Sequence, residues 1–233
     1  YLTGATNLEP SGKIANYLSA TLSLGDSATL VCEWPISNRV RQPVEISGHN
    51  ENGQEDSFLL RGRIDRVDEI NVEGQADGQR LIIIRDMKTV NGPKLNQRGQ
   101  RHRKAIFDEL QLALYAKAWE AANPNDRVVG VGITEVGDDT EYYVEMDPEY
   151  IDSVQHMSIG KITTYTSMTY RDIDEKTGGS SNGFRAWLEE RVRTALRVIG
   201  GAKAGHVNPT VSDDCKYCTV RRLCPSAKLG GKL

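Results

Sequence analysis

No apolar run in the chain approaches the ~20 residues that cross a bilayer as a helix. Nor does any stretch carry the basic and apolar regions of a secretory signal. From both absences we expect a cytoplasmic setting without membrane contact. Four cysteines among 233 residues are too few for a disulfide scaffold. No glycine-rich loop ends in Gly-Lys-Ser or Gly-Lys-Thr, so no P-loop motor lies within this sequence. An excess of positive charge is missing too: 29 basic residues face 32 acidic ones, for a net charge of −3. Contact with a polyanion would therefore rest on a local basic patch. The chain opens on Tyr1, not methionine, and we expect a fragment of a longer protein. What is present, 38% hydrophobic and 26% charged, suits a globular chain large enough for one good core.

Three pieces carry the chemistry. Leu81-Ile82-Ile83-Ile84 is an apolar, β-branched run, which predicts a strand buried on both faces. Its polarity then breaks at Arg85-Asp86-Met87-Lys88. Because strand side chains alternate, Asp86 and Lys88 leave one face and Met87 the other. Phe58 to Val67 predicts another strand, containing Asp65. A polar segment with Gly74 and Asp77-Gly78 joins the two as a hairpin that brings Asp65 beside Asp86. Two carboxylates at adjoining strand ends suit a hard cation such as Mg²⁺ or Mn²⁺. A lysine beside that ion can orient a water or offset charge on phosphorane oxygens. The plainer alternative is a surface ion pair between Asp86 and Lys88.

Gly62-Arg63-Ile64-Asp65-Arg66-Val67-Asp68, Asp86-x-Lys88-Thr89 and Gln111-x-x-x-Tyr115 together resemble motifs of RecB-type nucleases in the PD-(D/E)XK superfamily. The likeness is strongest to AddB-like and AdnB-like nuclease domains and extends over most of the chain. It implies Asp65, Asp86 and the Met87 carbonyl as metal ligands, Lys88 as the catalytic lysine, and Gln111 and Tyr115 as residues that support the site and contact DNA. Gly12-Lys13-Ile14-Ala15-Asn16 falls where the family often shows Gly-x-x-x-His, the histidine being a further ligand. Asn16 stands in its place, so either an amide oxygen makes a weak contact or that ligand is missing.

Around these pieces, residues 8 to 24 predict a short helix with Ile14, Tyr17, Leu18 and Leu22 near one face. Ala28 to Ile36 predicts a strand on which Cys32 and Glu33 face opposite ways. Glu33 resembles a glutamate of the family's first strand and is read more simply as a solvated or structural acid. Residues 37 to 56 read as a polar loop holding His49. The stretch from Lys94 to Lys104 contains Lys94, Arg98, Arg101, Arg103 and Lys104 with no acid, and suits tracking of a phosphate backbone; its alternative is a solvated loop. Ala105 to Ala122 predicts a helix with Gln111 and Tyr115 on one face and Ile106, Leu110 and Leu114 toward the sheet. Arg127 to Val136 and Glu141 to Met146 predict a hairpin. Helices are expected from about Pro148 to Met168 and from Phe184 to Ile199, separated by a polar segment, Arg171 to Gly183, expected to be disordered.

Cys215-x-x-Cys218-x5-Cys224-Pro225 has the spacing of metal ligands. It resembles the C-terminal part of the [4Fe-4S] site of AddB-like nucleases, whose first cysteine lies far upstream of the nuclease motifs and would be absent from a fragment. Cys32 is the remaining cysteine, either a fourth ligand or a small buried hydrophobe. A Cys₃His zinc site using His206 and three unligated thiols are the other readings.

These readings predict an α/β fold: a restriction-endonuclease-like core with a mixed central sheet flanked by helices, and a C-terminal helical, cysteine-bearing extension. We expect one nuclease domain over 1–233, with its catalytic core at 28–147 and the extension at 148–233. The resemblance implies a metal-dependent deoxyribonuclease, exonuclease in type, working with a helicase domain or subunit on DNA ends in recombination and repair. A non-catalytic DNA-binding or scaffolding domain and a CRISPR-associated RecB-like exonuclease are the rivals.

Overall fold

The structure, a computed structural model, describes residues 13–37, 42–75, 77–89, 106, 109–137, 140–162, 183–206, 215, 218–219 and 224. The chain divides into two compact units, Tyr1–Leu196 and Arg197–Leu233. The first holds a helix, α1 (Lys13–Leu22), and strands β1 (Ser27–Pro35), β2 (Val44–His49), β3 (Glu55–Leu60), β4 (Arg63–Ile70) and β5 (Arg80–Thr89). Helix α2 (Gln111–Ala122), β6 (Asp126–Val136), β7 (Glu141–Met146), a 3₁₀ turn (Pro148–Tyr150), the short α3 (Ile151–Val154) and β8 (Lys161–Ile162) follow. Helix α4 spans Gly183–Lys203.

Six strands form a mixed sheet in the order β1-β4-β5-β6-β7-β8, as expected of the predicted fold class. β5 is its pivot, antiparallel to β4 and parallel to β6. The apolar run of β5 is continuous because both faces of the sheet are covered. Ile82 and Ile84 join a cluster with Val128, Val131, Ala113, Ala116 and Trp187, while Ile83 joins Val129, Val144, Met146 and Ile159 on the other face. Each isoleucine so buried contributes about 1.5–3 kcal/mol. The strand that presents Asp86 is thereby anchored on both faces of the sheet.

The sequence misleads in several places. Phe58 to Val67 is not one strand: it breaks at Arg61-Gly62, and β3 pairs instead with β2 in a separate two-stranded sheet. The supposed loop at 37–56 therefore contains a hairpin, and His49 ends a strand. Its turn is built by Asn50, whose Oδ1 accepts from the Asn52 and Gln54 amides, and by Gly53 at φ 72°. Helix α2 begins at Gln111, later than predicted, with Leu110 preceding it. Leu112, Ala113, Ala116, Ala118 and Trp119 are its buried residues, whereas Leu110 and Leu114 are only half-buried. Trp119 Nε1 donates to Asp126 Oδ2 at 2.9 Å, and Arg80 reaches both oxygens of Asp126 at 2.8 Å, which secures the turn from α2 into β6.

No single helix covers Pro148 to Ile162. The 3₁₀ turn, α3 and β8 share that stretch, and Gly160 adopts φ 114°, a conformation closed to helices. Helix α4 continues through Gly200-Gly201 and stops at Gly205, whose φ of 82° and the His206 amide bond to the Gly201 carbonyl form its cap. In α1 the burial is rotated from the predicted stripe: Leu18 and Leu22 are exposed, and Tyr17 and Thr21 make the contacts to the sheet. The polar segment 171–182 lies outside the described residues. Among the described residues no helix is long and apolar enough to cross a membrane.

Candidate active site

The hairpin of β4 and β5, turning through Gly74 and Gly78 at positive φ, has its last ladder pair at Arg66 and Arg85. One residue further out stand Asp65 and Asp86. Asp65, half-buried, accepts the Met87 amide on Oδ2 at 2.8 Å. Asp86 is buried, with 4% of its surface exposed, and both its oxygens are engaged. Lys88 Nζ lies 2.7 Å from Oδ2, and Gln111 Nε2 donates to Oδ1 at 2.9 Å. The same Gln111 nitrogen donates to the Tyr115 hydroxyl at 3.2 Å. Strand alternation thus places Asp86 and Lys88 on one face, and a helix packed on that face supplies Gln111 and Tyr115 from one side, four residues apart.

Gly62 gives the Gly-Arg-Ile-Asp motif a steric meaning. A Cβ there would meet Ile36 Cδ1 at 3.2 Å and the Tyr115 ring at 3.7 Å. The bare backbone lets Tyr115 lie close to the strand that carries Asp65.

Burial raises the Asp86 carboxyl above the ordinary aspartate range; the Lys88 ammonium opposes this, and the neighbouring Asp65 adds to it. Burial works against the charge of Lys88, but Asp86, Glu109 and Asp65 outweigh it and raise its pKa. The arrangement is two carboxylates close enough to repel each other, one of them desolvated, with the Lys88 ammonium at the rim. Such a donor set fits a divalent cation, which would relieve that repulsion and which takes carboxylate oxygens. Among the described residues no group of three or more His, Cys, Asp or Glu side chains converges as a metal cage. Any ligation here would combine the two carboxylates with backbone oxygen and water.

The remaining residues singled out in the sequence are more scattered. Asn16 is half-buried on α1, next to Tyr17, and that helix packs through Tyr17 and Thr21 on the sheet face opposite Asp86. Glu33 is exposed and pairs with Arg63 at 2.5 Å. Cys32 is exposed on β1, not a buried hydrophobe. Cys215 and Cys224 are half-buried and Cys218 is exposed, the Cys218 amide meeting the Cys215 carbonyl at 3.2 Å. Lys94, Arg98, Arg101, Arg103 and Lys104 lie outside the described residues.

Sequence reasoning missed the role of Arg66, Asp68 and Arg85. Parity was the available signal: Arg66 and Asp68 alternate with Asp65 and therefore face away from it. The three side chains are buried together, with Asp68 bonded to both arginines at 2.6 Å.

The sequence matches the PD-(D/E)XK nuclease superfamily over residues 10–225, and the chain belongs to that superfamily. No curated protein sequence matches it. Among solved structures it is similar to one described as the crystal structure of SSO0001, with 13% identity and a TM-score of 0.36, covering 93% of this chain and 69% of that one. So distant a likeness supports no functional argument.

Proposed function

We propose that the chain is a metal-dependent deoxyribonuclease, the nuclease module of a helicase-nuclease that processes DNA ends. The observation that carries this reading is the meeting of Asp65, Asp86, Lys88 and Gln111 from three separate segments, within 2.7–2.9 Å contacts. Asp65 and Asp86 would hold Mg²⁺ or Mn²⁺, joined by the Met87 carbonyl; Asn16, on a helix packed on the opposite sheet face, supplies no contact there. A divalent ion held there supplies an activated water and neutralises phosphate charge. Lys88 is partly solvent-exposed and can swing from Asp86 to the scissile phosphate, where its ammonium offsets the developing charge. Gln111 keeps one Asp86 oxygen in place, and Tyr115 supports Gln111. The basic stretch from Lys94 to Lys104 would hold the DNA backbone, which requires no sequence reading.

The second element of the proposal is a [4Fe-4S] cluster on Cys215, Cys218 and Cys224, with the fourth thiolate from outside this chain. The Cys218 amide bonded to the Cys215 carbonyl at 3.2 Å is consistent with the close spacing of a Cys-x-x-Cys pair. Its role would be to staple the C-terminal extension.

The test is incubation of the purified chain with linear single- and double-stranded DNA in Mg²⁺, Mn²⁺ or chelator, beside Lys88→Ala. Metal-dependent degradation that vanishes in the variant supports the nuclease. DNA binding without cleavage in every metal would instead favour a scaffolding role.

A further inference from the structure

Directly behind the two carboxylates lies a second charged cluster with no part in the cleavage chemistry itself. Asp68, wholly buried, accepts Arg66 Nε on Oδ1 and Arg85 Nε on Oδ2, each at 2.6 Å, and Ser27 Oγ at 3.0 Å. Arg66 Nη1 reaches the hydroxyls of Tyr17 at 3.2 Å and Tyr142 at 3.3 Å, and Arg85 Nη2 donates to the Ile159 carbonyl at 2.7 Å. Both guanidinium groups stand over the Tyr142 ring, 5.4 and 5.3 Å from its centroid.

Buried ions are a poor means of stabilising a sheet, since apolar residues of equal volume serve as well or better. What this cluster offers is geometry. Along a run apolar at every position, such as Leu81-Ile82-Ile83-Ile84, a slipped register still buries apolar side chains, whereas an aspartate bridging one arginine on its own strand to one on the next is satisfied in a single register. The position of the bridge matters as well. Arg66 and Arg85 are the last ladder pair of β4 and β5, and each is the chain neighbour of one carboxylate. Past that rung the Met87 amide turns to the Asp65 side chain. The separation of Asp65 from Asp86 therefore depends on the rung that Asp68 clamps.

We propose that Arg66, Asp68 and Arg85 are positioning residues: from the far face of the sheet they set the spacing of Asp65 and Asp86 and so the affinity of that pair for a divalent cation. The inference rests on the reading of Asp65 and Asp86 as metal ligands. It extends to this cluster the general behaviour of groups that orient ligands without touching the metal, whose loss weakens binding by about 10–100-fold.

The experiment is a Mn²⁺ titration of the whole chain without DNA, followed by electron paramagnetic resonance well below the melting temperature. Wild type is compared with Asp68→Asn, Tyr142→Phe and, as a control for lost stability, Asp126→Asn. Asp68→Asn should weaken Mn²⁺ binding by about 10–100-fold, Tyr142→Phe less but in the same direction, and Asp126→Asn not at all although it lowers the melting temperature. Wild-type affinity in a folded Asp68→Asn, or an equal loss in Asp126→Asn, overturns the proposal. Should Asp68→Asn not fold, Tyr142→Phe decides, and unchanged affinity there overturns it. A wild-type chain that binds no Mn²⁺ removes the metal-ligand reading first, an outcome legible from that titration alone.

Discussion

Met87, the residue between Asp86 and Lys88, donates its backbone N–H to Asp65 Oδ2 at 2.8 Å. The central residue of the Asp-x-Lys motif is thus the one that orients the carboxylate of the neighbouring strand. Asn can accept the same bond through its amide oxygen. Asp65→Asn should therefore leave the circular dichroism spectrum unchanged while cutting metal-dependent cleavage by about 10²–10³-fold, the usual scale for losing one preorganised charge contact. Cleavage near the wild-type rate would remove Asp65 from the site.

Asp86 gives a stability prediction with a definite sign. Its folded-state pKa is raised, by burial first and then by Asp65, so the folded chain binds that proton more tightly than the unfolded chain does. Stability from this group consequently falls as pH rises from the ordinary aspartate value through the raised one. Once ionised, Asp86 opposes folding. Asp86→Asn should melt at or above the wild-type temperature at pH 7 while losing cleavage, and the melting difference should shrink as pH falls toward about 4. A variant that melts well below wild type at pH 7 would contradict the assignment.

Metal uptake should follow the same carboxyl. Because ligation needs the ionised form, Mn²⁺ binding should rise with pH through a value above the usual aspartate range. Lys88 holds that value down, so Lys88→Ala should move the rise to higher pH. Binding curves collected across pH for both proteins check the direction, and coincident curves would count against it.

The basic stretch from Lys94 to Lys104 makes a salt-dependence prediction. If Arg98 and Arg101 each neutralise one phosphate, replacing both by Gln should reduce the slope of log affinity against log salt on duplex DNA by about 2. Fluorescence anisotropy at several salt concentrations measures it, and an unaltered slope returns the segment to an ordinary solvated loop.

The cysteine motif is tested by metal content. Anaerobic reconstitution with iron and sulfide should load the chain in a manner lost in Cys218→Ala and Cys224→Ala, if three thiolates hold a cluster. Zinc without iron, sensitive to His206→Ala, would favour the Cys₃His alternative.

Much of the site was legible because its signals are local. An apolar strand followed by Asp-x-Lys determines facing by parity, and Gln111 with Tyr115 shares a face by helical spacing. Even the Asp77-Gly78 turn announced the hairpin that sets Asp65 beside Asp86. The failures came where tertiary context outweighed local pattern. Phe58 to Val67 looks continuous, yet Gly62 must yield room for Ile36 and Tyr115, and the chain leaves one sheet for another just before it. The expected helix stops at Ile199, before Gly200-Gly201, although a glycine costs a helix only about 1 kcal/mol per residue. Parity put Arg66 and Asp68 on one face of β4, but the cluster stayed hidden because Arg85 and Tyr142 come from other strands, whose neighbours no short window reveals.

Among the described residues strand β1 closes one side of the sheet that carries the site, and it is irregular: its register with β4 shifts between Thr29 and Val31, and Glu33 adopts φ 57°. A straight outer strand would offer its unpaired amides and carbonyls to any extended segment from another molecule. The shift and the left-handed residue deny such a visitor a continuous rung pattern, and Arg63 with Glu33 adds charge at the same place. The sheet is thereby guarded against growing sideways into aggregates, at the flank adjoining the strand that carries Asp65.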